Sequence, residues 1–173
     1  MQLRPHQEKA IAMLRESLRT GHKRPLLAAP TAFGKTITAA YIAKNAVERG
    51  KRVVFIADRV KLVNQALEAM DVHGIDAGVI QADHWRTDYS KPVQIASWQT
   101  LAKKIEKHGT QAFPFDLAIV DECHTIYKSM TDVMNHLNLI PFIGLSATPY
   151  TKGLGLVWDD LLVPVTPRDL LAE

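Results

Sequence analysis

Ala29-Pro30-Thr31-Ala32-Phe33-Gly34-Lys35-Thr36 follows the apolar run Pro25-Leu26-Leu27-Ala28 and precedes a helix-forming segment from Ile37 to Arg49. A strand that ends in a tight loop and re-enters as a helix aims several backbone N–H groups and the helix dipole at one point, where a polyphosphate can sit. Gly34 lets the backbone approach closely, Lys35 supplies a mobile charge for the outer phosphates, and Thr36 offers a hydroxyl to magnesium. Pro30, Thr31, Ala32 and Phe33 form the rest of the cradle. Ala29 stands where the usual phosphate-loop pattern opens with glycine, and Phe33 is bulky for such a loop.

The same rhythm of short apolar run and helical segment continues outward. Val53 to Ala57 precedes Val60 to Met70, Val93 to Ala96 precedes Ser97 to Lys107, and Leu117 to Val120 precedes a weaker helix around Met130 to Leu137. Phe142 to Leu145 adds a strand, and Pro5 to Thr20 forms an amphipathic helix through Ile11, Leu14 and Leu18, stopped by Gly21. Runs that are apolar throughout suit strands covered on both faces, and their alternation with helices predicts an α/β fold with a mostly parallel central sheet. Ligands in such sheets gather at the carboxyl ends of the strands.

The composition suits one globular domain: 173 residues, 47% hydrophobic and 23% charged, with no run approaching the roughly 20 apolar residues of a membrane helix. The opening Met1-Gln2-Leu3-Arg4-Pro5 has no basic-then-apolar export signal, and the single cysteine, Cys123, excludes an internal disulfide and fits a reducing cytoplasm. The net charge of +3 permits nucleic acid without requiring it. Lys103, Lys104 and Lys107 read as a solvated helix face, and the seven histidines lack zinc-site spacing. Thr166-Pro167-Arg168-Asp169 announces a helix that the chain leaves unfinished at Glu173, so residues 1–165 are expected to form the domain and 166–173 to begin a connection to a further one.

Asp121 and Glu122 end the run Leu117-Ala118-Ile119-Val120. Two carboxylates beside a buried strand need a cation or donors, and a magnesium phosphate site supplies one. Strand alternation is expected to send them to opposite sides, Asp121 toward the metal opposite Thr36 and Glu122 toward the attacking water. Cys123 is read as packing, because a neighbour on a strand end does not aim at His124.

Asp121-Glu122-Cys123-His124 resembles the Asp-Glu-x-His box of superfamily-two helicases and translocases, and Ser146-Ala147-Thr148-Pro149 resembles their Ser-Ala-Thr motif. Arg4-Pro5-His6-Gln7 is similar to their adenine-reading glutamine motif, and Phe55 to Gln65 and Ala96 to Leu101 resemble two strand-end segments that touch the nucleic-acid backbone. Leu3 to Gln7 and the stretch from Ala147 to Leu156 look most like the RadD-like and restriction-translocase group. The resemblance implies a RecA-like P-loop NTPase domain, the first motor domain of a nucleic-acid-dependent ATPase that uses ATP and Mg2+. Its partners would be nucleic acid, DNA in preference to RNA, and a second RecA-like domain supplying arginine fingers; the fragment would be monomeric, without a membrane, and slow at hydrolysis alone.

Carried over residue by residue, the resemblance makes Lys35, Asp121 and Glu122 catalytic, adds Arg4 and Gln7 to the ATP contacts, and assigns Thr36 and Asp121 to Mg2+. His124, Ser146 and Thr148 would couple nucleotide state to interdomain movement. Arg59, Gln65, Ser97, Gln99, Thr100 and Lys152 would contact nucleic acid through its phosphates. A carboxamide such as Gln7 both donates and accepts, which suits the adenine edge. Two other classes stay open: a weakly catalytic binding module that recruits or decoys a replication or repair partner, and a GTP switch, disfavoured because no Asn-Lys-x-Asp segment is present.

Overall fold

The computed structural model describes residues 1–123 and 127–172. The strands β1 (Pro25–Ala28), β2 (Val53–Ala57), β3 (Gly78–Val79), β4 (Val93–Ser97), β5 (Leu117–Asp121), β6 (Phe142–Ser146) and β7 (Asp160–Leu162) form one seven-stranded sheet in the order β3-β4-β2-β5-β6-β1-β7. Every pairing is parallel, which extends the expected mostly parallel sheet to a fully parallel one.

The helices are α1 (Pro5–Arg19), α2 (Lys35–Glu48), α3 (Val63–Val72), α4 (Trp98–His108), α5 (Lys128–His136) and α6 (Pro167–Ala172). Alternation along the strands decides which helix meets which face. Val53, Phe55 and Ala57 pack with Leu14 of α1, Ala40 of α2 and Leu67 of α3. Val54 and Ile56 point the other way, into a cluster with Leu101 of α4 and Met134 of α5, where Trp98 stacks on Phe142 at 6.4 Å. Both faces of the central strands are therefore dry, the physical basis of their unbroken apolar sequence. No helix among the described residues is long and apolar enough to cross a membrane.

β3 and β7, the two edges, did not figure among the expected strands. They are two and three residues long, too short for a periodic signal. β7 is fastened by side chains: the Asp159 carboxylate accepts the backbone N–H groups of Lys23 and Arg24 at 2.8 and 3.0 Å, and Asp160 accepts the Ser17 hydroxyl at 2.6 Å. α6 begins where Thr166 and Asp169 cap its first turn, with the Thr166 hydroxyl donating to Asp169 at 2.7 Å.

Candidate nucleotide-binding site

β1 leaves the sheet beside β6, where Ala28 pairs with Ser146 and the Ala29 N–H donates to the Ser146 carbonyl at 2.8 Å. The following loop closes on a Phe33 N–H to Pro30 carbonyl bond of 2.9 Å. It then passes through two left-handed residues, Ala32 at φ 73° and Gly34 at φ 83°, before α2 starts at Lys35. Gly34 is needed twice over: its φ favours glycine, and a Cβ there would lie 2.2 Å from Gln7 Nε2. The bulk of Phe33 is no obstacle, because its ring is wholly buried and meets the His6 ring edge-on at 4.8 Å. The Phe33 side chain thus anchors the loop in the core just ahead of the N-terminus of α2.

The first turn of α1 grips this loop from its outer side. Arg4 donates from its guanidinium to the Ala32 carbonyl at 2.8 Å, and Gln7 Nε2 donates to the Phe33 carbonyl at 2.9 Å. His6 Nε2 lies 2.8 Å from the same carbonyl oxygen, which has two lone pairs to offer. Gln7 Oε1 accepts the Arg4 N–H at 2.8 Å, so both ends of the carboxamide are engaged within the protein and the side chain is buried. In this conformation Gln7 holds the cradle's shape, and meeting an adenine, its expected role, would require it to release Phe33 or Arg4. His6 was not among the expected site residues; its signal was its place between Arg4 and Gln7.

At the end of β5 the expected strand alternation fails. Glu122 is left-handed at φ 51°, a conformation that costs a non-glycine residue roughly 1–2 kcal/mol and that gathers at functional sites. Its N–H donates to Asp121 Oδ1 at 3.1 Å, fixing one carboxylate with the backbone of the other. Both acids consequently turn to the same cation: Lys35 Nζ lies 3.0 Å from Asp121 Oδ1 and also pairs with Glu122. Lys35 reaches them across the end of β6, which separates β1 from β5 in the sheet.

Thr36, Asp58, Gln65, Asp121 and Glu122 line a cavity of about 280 Å³ floored by Phe55 and Met70. Its polar donors are hydroxyl, carboxamide and carboxylate oxygens, the hard set that magnesium prefers. Among the described residues no three His, Cys, Asp or Glu side chains gather as a cage. Asp58 also escaped the sequence reading. Its Oδ1 is buried without a hydrogen-bond partner among the described residues, while Oδ2 accepts the Tyr127 hydroxyl at 3.4 Å. Cys123 is buried and free, and burial, first of all, pushes its thiol pKa far up, as its reading as packing requires.

Ser146 is buried, and its hydroxyl oxygen accepts the Thr148 N–H at 3.0 Å, which leaves Thr148 exposed beside the cradle. His124 lies outside the described residues. The expected nucleic-acid contacts scatter. Arg59 and Lys152 are exposed, and Gln65 faces the cavity beside the carboxylates. Gln99 and Thr100 are half-buried. Ser97 is completely buried, and its hydroxyl accepts the Thr100 N–H at 3.2 Å as the N-cap of α4.

Comparison with known proteins agrees with this architecture. The type I restriction enzyme EcoKI endonuclease subunit of Escherichia coli K12 is 30% identical over 72% of this chain, which spans 12% of that protein. The UvsW helicase of bacteriophage T4 superposes with a TM-score of 0.74 at 20% identity, over 95% of this chain and 61% of that one. The type ISP restriction-modification enzyme LlaGI, solved with a DNA substrate mimic, gives 0.76 at 18% identity over 99% of this chain and 20% of that one. The family model for the res subunit of type III restriction enzymes matches residues 1–151, and the chain belongs to that family of helicase-like motor domains.

Proposed function

We propose that the chain is the ATP-binding motor domain of a nucleic-acid-dependent ATPase, a helicase or translocase that hydrolyses ATP with Mg2+. The observation that carries this reading is the convergence of Lys35, at the start of α2, on Asp121 and Glu122 at the end of β5. A cation already poised between the two carboxylates sits where polyphosphate and metal would redistribute charge. On nucleotide binding the Lys35 ammonium turns from the carboxylates to the outer phosphates, and the N–H groups of Ala32, Gly34, Lys35 and Thr36 hold the phosphate oxygens. Thr36 and Asp121 would hold magnesium, which when bound neutralises charge developing on the transferred phosphoryl group. Glu122, released from Lys35, orients a water and accepts its proton. Ser146 and Thr148, with His124, relay the state of the site toward a second domain.

Arg59, Gln65, Gln99, Thr100 and Lys152 are the proposed contacts to nucleic acid. DNA is the favoured partner, since LlaGI was solved with a DNA mimic. Residues 1–165 would form the motor domain, with 166–173 starting the connection to a second RecA-like domain whose arginine fingers raise turnover; such a finger contributes about 10³ to 10⁵ in rate. The chain alone would be a monomer that binds ATP and hydrolyses it slowly, in the cytoplasm. A binding module that only recruits a partner is disfavoured because binding does not need Glu122 held in a left-handed conformation. The test is ATP turnover with and without single-stranded, duplex and branched DNA or RNA, for the parent and Glu122→Gln. Equal turnover by the two would remove Glu122 from the mechanism, and indifference to every nucleic acid would favour the binding module.

A further inference from the structure

Trp85 is 77% exposed, while Trp98 and Trp158 are 1% and 5% exposed. A solvated indole is ordinarily left mobile, yet this one has the side chains of both its chain neighbours against it. His84 lies 5.8 Å away with its ring inclined by only 22°, and the Arg86 guanidinium stands 5.3 Å from the indole centroid. The braces are themselves tied down. Arg86 donates to Asp71 at 3.1 Å, to Asp76 at 3.2 Å and to the Ala77 carbonyl at 3.1 Å, and those carboxylates hold its pKa above the ordinary value. His84 Nε2 is bonded to Asn64 Oδ1 at 2.7 Å, in the first turn of α3. The Val79 N–H donates to the Arg86 carbonyl at 3.0 Å, which seals the outer edge of β3 and fixes the segment to the sheet.

We infer that His84, Trp85 and Arg86 form a rigid stacking platform for an unpaired nucleic-acid base, an inference that rests on the motor-domain reading above. Three features favour a base over a phosphate or a protein surface. Arg86 is already neutralised by Asp71 and Asp76, so the site's attraction lies in a flat aromatic face and not in net charge. The platform is fastened along α3, through Asn64 in its first turn, next to Gln65 in sequence, and through Asp71 in its last, so it flanks the helix that carries Gln65. A single planar ring braced against rotation suits base stacking, which is tolerant of sequence because every base has a π-face.

The test uses the unmodified chain, fluorescently labelled (dT)12 and an abasic oligomer of the same length. Because Trp85 is the exposed tryptophan, (dT)12 should quench the intrinsic emission of the parent, and Trp85→Ala should remove that quenching and weaken (dT)12 binding roughly 5- to 150-fold, the range for losing one base stack. Trp85→Phe should retain most of the affinity, and the abasic oligomer should bind the parent and Trp85→Ala equally. If (dT)12 binds the parent and Trp85→Ala alike with no change in emission, the platform assignment falls while the motor reading stands, and a protein partner becomes the occupant to seek. If no oligomer binds the parent, both fall.

Discussion

Lys35, which opens α2 after β1, and Asp121, which ends β5, are 3.0 Å apart although β1 and β5 are not neighbours in the sheet, and Lys35 also pairs with Glu122. The lysine and both acids are about a fifth to a third exposed, so the cluster is shielded from water without being sealed from a ligand. Lys35→Ala should raise the Kd for Mg2+-ATP roughly 10- to 150-fold, the equivalent of losing a charged hydrogen bond of about 1.5–3 kcal/mol. It should also leave two like charges without their cation. Lys35→Arg should not restore binding, because a planar fork cannot replace a compact ammonium in a loop built for a point charge. Calorimetric titration with ATP checks both variants, and unchanged affinity in Lys35→Ala would remove Lys35 from the site.

Gln7 tests what the first turn of α1 does. If its carboxamide holds the Phe33 carbonyl, Gln7→Ala should loosen the cradle and weaken ATP, GTP and ADP alike, by several-fold, with a small loss of thermal stability. If it reads the base, only the adenine nucleotides should suffer. Parallel titrations with ATP and GTP decide between the two. A loss confined to ATP would mean that Gln7 releases Phe33 when nucleotide arrives.

The central strands were legible because both of their faces are covered: Val53 to Ala57 and Leu117 to Val120 are apolar at every position, and the structure extends these strands by at most one residue. The cradle was legible because Gly34, Lys35 and Thr36 act locally, on the backbone at a helix start. What escaped depends on contacts distant in sequence or on backbone angles that residue type conceals. Nothing in a glutamate announces a left-handed φ, so the convergence of Asp121 and Glu122 could not be foreseen from strand alternation. Gln7 and Ser97 are polar residues whose partners, a loop carbonyl 26 residues away and a helix N–H, are visible only once the chain is folded.

Ser97 separates capping from contact. Ser97→Ala should destabilise the domain by about 1 kcal/mol through loss of the α4 cap, and should leave nucleic-acid affinity unchanged because the side chain is buried. Ser97→Asp, which keeps a cap, should recover most of the stability if the pocket around Thr100 admits the carboxylate. Denaturant unfolding beside oligonucleotide anisotropy gives both readouts. Weakened DNA binding in a folded, stable Ser97→Ala would reinstate a direct or indirect role at the nucleic-acid face.

Gly144 couples the strand that carries Ser146 to the packing beneath it. A Cβ at this position would stand 2.8 Å from Cys123 Sγ and 2.8 Å from the Trp158 ring, closer than real side chains approach. Neither neighbour yields easily, since Cys123 follows the strained Glu122 and Trp158 is a rigid ring buried to 5% exposure. Gly144→Ala should therefore cost about 1–3 kcal/mol by overpacking, a fall in Tm of roughly 2–12 °C for a domain of this size. Because the added methyl presses toward the segment that positions Glu122, ATP turnover should fall further than the loss of folded protein explains. Trp158→Phe, which shortens the opposing ring, should relieve part of the stability loss in the double variant, and a double variant as unstable as Gly144→Ala alone would point to the Cys123 side as the source of the clash.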